Sequence, residues 1–289
     1  MKSVFVTGST GNVGVEVVRQ LLAREASVKA SVLPGRSEAV VEGAVPVEFD
    51  FETPATFGAA LEGVDRVFLM RPPHMADAKA FRSFIEAMEK AGIRQVVFLS
   101  VQGAGKNIFV PHHGIEVLLK KSSLAWTFLR PSFFMQNLTT THLADIRDRS
   151  EIYVPAGNGR TNFIDVADIG EAAAVCLTTP GHEKKAYEIT GSEALTYGEV
   201  ATILSAACDR PITYPKPSAK EFKRHMRQEC GYEDDFVNVM ASIYAISKFG
   251  MAAGTTDTFE KLVGRAPHTL KQWASQNAAC WAPVETAVS

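Results

Sequence analysis

Near the amino terminus the chain places three glycines in the run Gly8-Ser9-Thr10-Gly11-Asn12-Val13-Gly14, directly after the apolar stretch Val4-Phe5-Val6-Thr7. Glycines at this spacing allow a tight turn and let main chain approach a ligand closely. Where such a turn opens a helix, the free amide groups and the helix dipole favour a diphosphate. The pattern is G-x-x-G-x-x-G rather than the commoner G-x-G-x-x-G, so its position between a strand and a helix carries the reading. A second segment bears on which nucleotide would bind. Ser31-Val32-Leu33-Pro34-Gly35-Arg36-Ser37 holds no acid to bond a ribose 2′-hydroxyl and one arginine that can meet a 2′-phosphate. NADP(H) is therefore favoured over NAD(H). Further groups fall at the ends of later apolar runs: Asp50 and Phe51, Met70, Arg71 and Pro72, Ser100, and Pro131. In an open α/β sheet such ends converge on one crevice.

The elements that must hold these residues alternate. Strand-like runs are expected at 3–6, 28–32, 45–49, 66–69, 95–99 and 126–129, with helical patterns at 13–23, 54–61, 76–91 and 111–121. That rhythm predicts an α/β protein with a doubly wound parallel sheet covered on both faces. After Pro131 the expectation is a helix over 133–147, a short strand at 152–154, a turn-rich 155–159 and a helix over 165–177 capped by Asp165. Short strands follow at 187–190 and 212–214, with helices starting near Thr196, Ser218, Asp234, Thr256 and His268. The domain reading is a nucleotide-binding lobe over 1–155 with 160–180 packing back onto it. A smaller, mainly helical C-terminal lobe covers 181–281, and a tail at 282–289 is expected to fray.

Composition narrows the class. At 289 residues, 46% hydrophobic and 21% charged, the chain can build a sizeable core and is not a disordered sequence. Thirty Lys and Arg against 32 Asp and Glu give a net charge of -2, which implies neither a nucleic-acid nor a membrane partner. Cys176, Cys208, Cys230 and Cys280 form no C-x-x-C pair, so neither a metal site nor a disulfide framework is expected. With no long apolar run and no signal-peptide pattern, the expectation is a cytoplasmic protein. Nothing in the spacing fixes an oligomeric state.

Several segments resemble the NmrA-like group of atypical short-chain dehydrogenases. They are the glycine run from Thr7, Leu61-Glu62-Gly63-Val64-Asp65-Arg66-Val67-Phe68-Leu69, Thr127-Phe128-Leu129-Arg130-Pro131-Ser132-Phe133-Phe134-Met135-Gln136-Asn137-Leu138, and the stretch from Tyr153 to Ile169. The resemblance extends to about Trp273. It implies a Rossmann-like NAD(P)-binding lobe and a small C-terminal lobe with a substrate cleft between them. It also implies cofactor contacts at Gly8, Thr10, Gly11, Asn12, Val13, Arg71, Pro72, Phe133 and Phe134. The arginine often found at the second strand end of that family is Leu33 here, which leaves the NADP(H) preference on Arg36. Two activities follow from the resemblance: NAD(P)H-dependent reduction of quinones, azo compounds or triphenylmethane dyes, or redox sensing through protein partners.

The residues favour the reductase, acting on a small aromatic or quinone-like acceptor. Hydride chemistry of this kind needs an acceptor held over the nicotinamide and water kept out. Phe134 and Met135, with Phe133, are candidates to wall an apolar acceptor pocket, and Asn137 to bond its polar edge. Ser100 stands where the resemblance places a catalytic serine, and His113, or its neighbour His112, can pass a proton near neutral pH. Glu116 reads as a solvated helix residue. Tyr244-Ala245-Ile246-Ser247-Lys248 has the Tyr-x-x-x-Lys spacing of a proton relay but lies too late in the chain, so Tyr244 reads as a packing residue.

Overall fold

The computed structural model describes residues 3–36 and 40–283. The chain divides into two compact units that take turns along the sequence. The first comprises the chain up to Pro131, Val166–Ile189 and Thr258–Arg265; the second comprises Ser132–Asp165, Thr190–Asp257 and the chain from Ala266.

Unit 1 is a parallel seven-stranded sheet: β1 (Ser3–Val6), β2 (Ser27–Val32), β3 (Val45–Glu48), β4 (Arg66–Met70), β5 (Gln95–Leu99), β6 (Ala125–Pro131) and β9 (Lys185–Ile189). Its order is β3-β2-β1-β4-β5-β6-β9, and every pair is parallel. The order reverses between β1 and β4, the switch point at which such sheets bind ligands. Alternation along the strands sends side chains to both faces. Phe5, Val67, Leu69, Val96, Phe98 and Phe128 join an aromatic-rich core with α2 (Phe57–Leu61), α3 (Arg82–Lys90) and α4 (Pro111–Lys121). The other helices are α1 (Asn12–Leu22), α6 (Val166–Thr178) and α10 (Thr258–Val263). Helices α1 and α6 pack so closely that a Cβ on Gly170 would stand 2.7 Å from Glu16 Cβ.

Unit 2 holds α5 (Leu143–Arg149), α7 (Tyr197–Cys208), α8 (Ala219–Gln228), α9 (Asp234–Lys248) and α11 (Leu270–Asn277). It also has a three-stranded sheet of β7 (Phe133–Phe134), β8 (Arg160–Ile164) and β10 (Ala194–Thr196) in the order β10-β8-β7. This sheet is not anticipated by the sequence reading. Thr196, Ser218 and Thr269 each close a reciprocal capping box, with Glu199, Glu221 and Gln272 respectively.

Three expectations need correction. The helix over 133–147 is instead β7, a 3-10 turn at Met135–Leu138 and α5. Thr139 and Thr140 bond back to the Gln136 carbonyl, an alternative to the helical ladder. The strands at 152–154 and 212–214 reduce to a single bridge between Glu151 and Thr213, hemmed in by Pro155, Pro211 and Pro215. The lobe boundaries also differ from the observed division. Residues 132–155 fall in unit 2, whereas β9 and α10 fall in unit 1. Of the expected tail, 284–289 lies outside the described residues. Among the described residues no helix is long and apolar enough to cross a membrane.

Candidate nucleotide site

In unit 1 the parallel strands bring their carboxyl ends to one edge, with the glycine turn beside the switch point. Gly8 adopts φ +62°, and a Cβ there would lie 2.1 Å from Met70 Cε. The Gly11 amide donates to the Gly8 carbonyl at 3.1 Å. A Cβ on Gly14 would come within 2.0 Å of that same carbonyl oxygen, so α1 rises directly over the turn. Buried side chains fix the turn from below. Ser9 Oγ donates to the Ser31 carbonyl at 2.6 Å, and Thr7 Oγ1 accepts from the Met70 amide at 2.8 Å. Helix α1 begins at Gly11 with no side-chain cap and no acid in its first turn, which leaves its amide donors for an anion. Thr10 and Asn12 are exposed there, while Val13 is buried and offers only its amide.

Arg71, at the end of β4, adds a cation. Its Nη1 donates to the carbonyls of Pro72, Pro73 and Met75 at 2.8, 2.9 and 3.0 Å, which shapes the loop. Its Nε is buried with no partner, and desolvation pushes the guanidinium below its ordinary value. A half-buried cation without a counter-charge is stabilised by an anionic ligand. The glycine turn, the uncapped helix and this guanidinium therefore fit a dinucleotide's phosphates. Arg36 is exposed in the loop after β2. Spacing did not reveal that Glu48 Oε1, from β3, accepts from the Gly35 amide at 3.1 Å, so an acid does reach this loop.

Behind the edge lies a buried ion pair. Arg130 binds Glu116 with two hydrogen bonds, Nε to Oε1 at 2.9 Å and Nη2 to Oε2 at 2.6 Å. Ser100 Oγ donates to Oε1 at 2.7 Å. A Cβ on Gly105 would stand 2.6 Å from Arg130 Nη2, so the loop after β5 rests on the guanidinium. Burial works to raise the Glu116 carboxyl. The bonds from Arg130 and Ser100, with the charges of Arg130 and Lys120, outweigh it and hold the group below its ordinary value. Glu116 is thus no solvated residue; it is 0% exposed and joins α4 to β5 and β6.

In unit 2 the residue that organises the 133–137 segment is Asn162, fully buried on β8. Its Oδ1 accepts from Ser132 Oγ at 2.7 Å and the Gly191 amide at 2.8 Å; its Nδ2 donates to the Gly191 and Glu193 carbonyls, both at 2.9 Å. All four of its hydrogen-bonding positions are filled. Phe133 and Phe134 are half-buried, and Gln136 Nε2 donates to Asp165 Oδ1 at 2.6 Å.

A sequence profile described as NAD(P)H-binding matches residues 8–180. The NAD(P)H azoreductase of Xenophilus azovorans is 34% identical over 96% of this chain and 99% of its own length. The chain belongs to the NAD(P)H-binding family. Two solved structures share the fold. The triphenylmethane reductase of Citrobacter sp. complexed with NADP(H) is 24% identical, with a TM-score of 0.81, over 96% of this chain and 100% of that one. The NADPH-dependent quinone oxidoreductase of Escherichia coli is 25% identical, with a TM-score of 0.82, over 94% and 98%. The NmrA-like resemblance and the Rossmann-like parallel sheet are both borne out.

For a member of this NAD(P)H-binding family, several side chains singled out above have other employment. Ser100 gives its only proton to Glu116, so it has none for an acceptor's carbonyl. The Phe51 ring packs in the core against Phe49, Phe81 and Phe84. Asp50 caps its own turn, accepting from the Glu52 amide at 2.9 Å and from Thr53 Oγ1 at 3.2 Å. Pro131 is buried at the end of β6, where its carbonyl accepts from the Gln102 amide at 3.0 Å. Met135 is 1% exposed and belongs to the unit 2 core, so it walls no pocket. The half-buried Asn137 uses its main-chain carbonyl to accept from the His142 amide at 3.0 Å, a contact that does not involve its side-chain amide. Burial and the charge of Arg71 push His112 down to about 4, which keeps it neutral at pH 7. The Ala104 carbonyl accepts from His113 Nδ1 at 2.8 Å, which holds the ring and leaves Nε2 as its other nitrogen. Tyr244 lies in the core bonded to His142, and burial raises its phenol well above the ordinary value. A relay would require the opposite shift.

Proposed function

We propose that this chain is an NAD(P)H-dependent reductase that passes hydride to a small aromatic or quinone-like acceptor, and that it prefers NADP(H) to NAD(H). The observation that carries the reading is the uncapped start of α1 directly over left-handed Gly8, at the switch in strand order. The amides from Asn12 to Gly14, the exposed side chains of Thr10 and Asn12, and Arg71 would hold the dinucleotide's phosphates. Arg36 would meet the 2′-phosphate. Glu48, already engaged by the Gly35 amide, keeps that preference modest. The bound nicotinamide supplies the hydride, so this chain's own groups need only orient the acceptor, exclude water and deliver a proton.

Phe133 and Phe134 are the partly exposed aromatic surfaces in the segment held by Asn162, and flat conjugated acceptors suit such walls. The relatives' names, azoreductase, quinone oxidoreductase and triphenylmethane reductase, point to unsaturated acceptors able to take up hydride. His113 is the proton donor of this reading: as the imidazolium it gives the Nε2 proton to the reduced acceptor and regains one from solvent, its ring held by the Nδ1 bond to Ala104. The test is stopped-flow oxidation of NADPH with an azo dye, a quinone and a triphenylmethane dye, beside calorimetry with each nucleotide. Turnover with at least one acceptor is expected, with NADPH bound about tenfold more tightly than NADH. Tight binding without oxidation by any acceptor would replace the reductase with a nucleotide sensor. Equal affinities would remove the NADP(H) preference alone.

A further inference from the structure

Unit 2 carries a polar cluster that the nucleotide chemistry does not use. Asp145 on α5, His225 on α8 and Cys230 just beyond α8 each offer one ligand atom, and these atoms all lie within 4.8 Å of one another. Asp145 Oδ1 is 2.7 Å from His225 Nε2, and Cys230 Sγ is 3.5 Å from that same nitrogen. Asp145 is 3% and His225 7% exposed, and all three line a pocket of about 360 Å³. The last turn of α8 makes the meeting possible: the Cys230 amide donates to the His225 carbonyl at 3.3 Å, folding the thiol back beside the imidazole.

We infer that Asp145, His225 and Cys230 form a site for a divalent transition ion such as Zn²⁺, with a fourth position open to the pocket. The geometry separates this from a catalytic thiol. A Cys–His–Asp relay needs carboxylate and sulfur on opposite ring nitrogens, so that one orients the ring while the other takes the proton. Here both converge on Nε2, as ligands of one ion do. Donors around tetrahedral zinc stand about 3.3 to 3.8 Å apart, given bonds of about 2.0 to 2.3 Å. Side-chain movements on the order of 1 Å would bring the three into that range. The donor set, one nitrogen, one sulfur and one carboxylate oxygen, suits zinc or cobalt rather than magnesium or calcium.

Charges and protons balance. Cys230 loses its proton to solvent, Asp145 ligates as the carboxylate, and His225 ligates through Nε2 with its proton moved to Nδ1. Thiolate and carboxylate then neutralise the ion. Arg149 Nε, 3.7 Å from Asp145 Oδ1, would give up that contact; it keeps its 3.0 Å bond to Glu151.

The experiment titrates chelator-treated full-length protein with Co²⁺ while recording its absorbance, and with Zn²⁺ by calorimetry. One equivalent should bind, with a thiolate-to-cobalt charge-transfer band. Cys230→Ser should abolish the band and weaken Zn²⁺ by about 100-fold or more, since even outer-shell changes cost 10- to 100-fold. Cys230 is only partly buried, so this variant is chosen to fold, checked by circular dichroism; Asp145→Asn and His225→Gln are the companions. X-ray absorption of the zinc-loaded wild type should show one sulfur among nitrogen and oxygen ligands. Absence of the band, its survival in Cys230→Ser, or a sulfur count other than one would overturn the site.

Discussion

Helix starts differ between α1 of unit 1 and three helices of unit 2. In unit 2, α7, α8 and α11 each close their first amides with a Thr or Ser and a Glu or Gln three positions on. In unit 1, α1 opens at Gly11 with no such closure, and Gly8 and Gly14 supply turn and clearance where side chains would block the approach. Capped starts satisfy their donors internally and add stability. The open start gives up that stability and presents the same donors to a ligand. The contrast shows that a helix terminus becomes a binding element when its own sequence declines to cap it and its surroundings supply complementary charge, as Arg71 does.

Substitutions can break this contrast. Gly14→Ala puts a methyl 2.0 Å from the Gly8 carbonyl, main chain that cannot move aside. Calorimetry should detect no nucleotide binding at concentrations that saturate the wild type. Glu116→Ala leaves Arg130 buried without its partner and should cost about 3 to 5 kcal/mol in urea unfolding at pH 7. Because the folded Glu116 carboxyl lies below the ordinary 4.5, its stabilisation is fully present above that pH and is lost as the pH falls through the folded value. Glu116→Gln should therefore lose less stability on acidification than the wild type. Asn162→Ala strips partners from Gly191, Glu193 and Ser132 and should cost about 2 to 3 kcal/mol, with weaker acceptor binding and an unchanged nucleotide affinity. Thr196→Ala should cost about 1 kcal/mol and leave nucleotide affinity unchanged, which sharpens the difference between a capped start and an open one.

The same contrast explains what could be read in advance. The strands of unit 1 and the glycine turn were legible because near-continuous apolar runs and glycine spacing report local geometry. Strands β1 and β5 fall at 3–6 and 95–99 as expected, and α4 at 111–121. Side chains whose partners come from far along the chain were not legible. Glu116 looks like any helix-surface acid until Ser100 and Arg130 fold beside it. Asn162 meets partners 29 to 31 positions away, and Asp145 meets His225 across 80. A run of three threonines breaks what hydrophobic periodicity reads as one helix after Pro131. Glu48 shows the limit most directly: the acid missing from the β2 loop arrives from the neighbouring strand.

The alternation of the two units along the chain has a consequence for biosynthesis. Helix α10, at Thr258–Val263, belongs to unit 1 and packs on α6 and β9. During translation the nucleotide-binding body therefore receives this piece only after Ser132–Asp165 and Thr190–Asp257 of the other unit have emerged. Neither body can be excised as one contiguous gene fragment, and chimeras made by exchanging a single carboxy-terminal block would carry away part of the body meant to be kept.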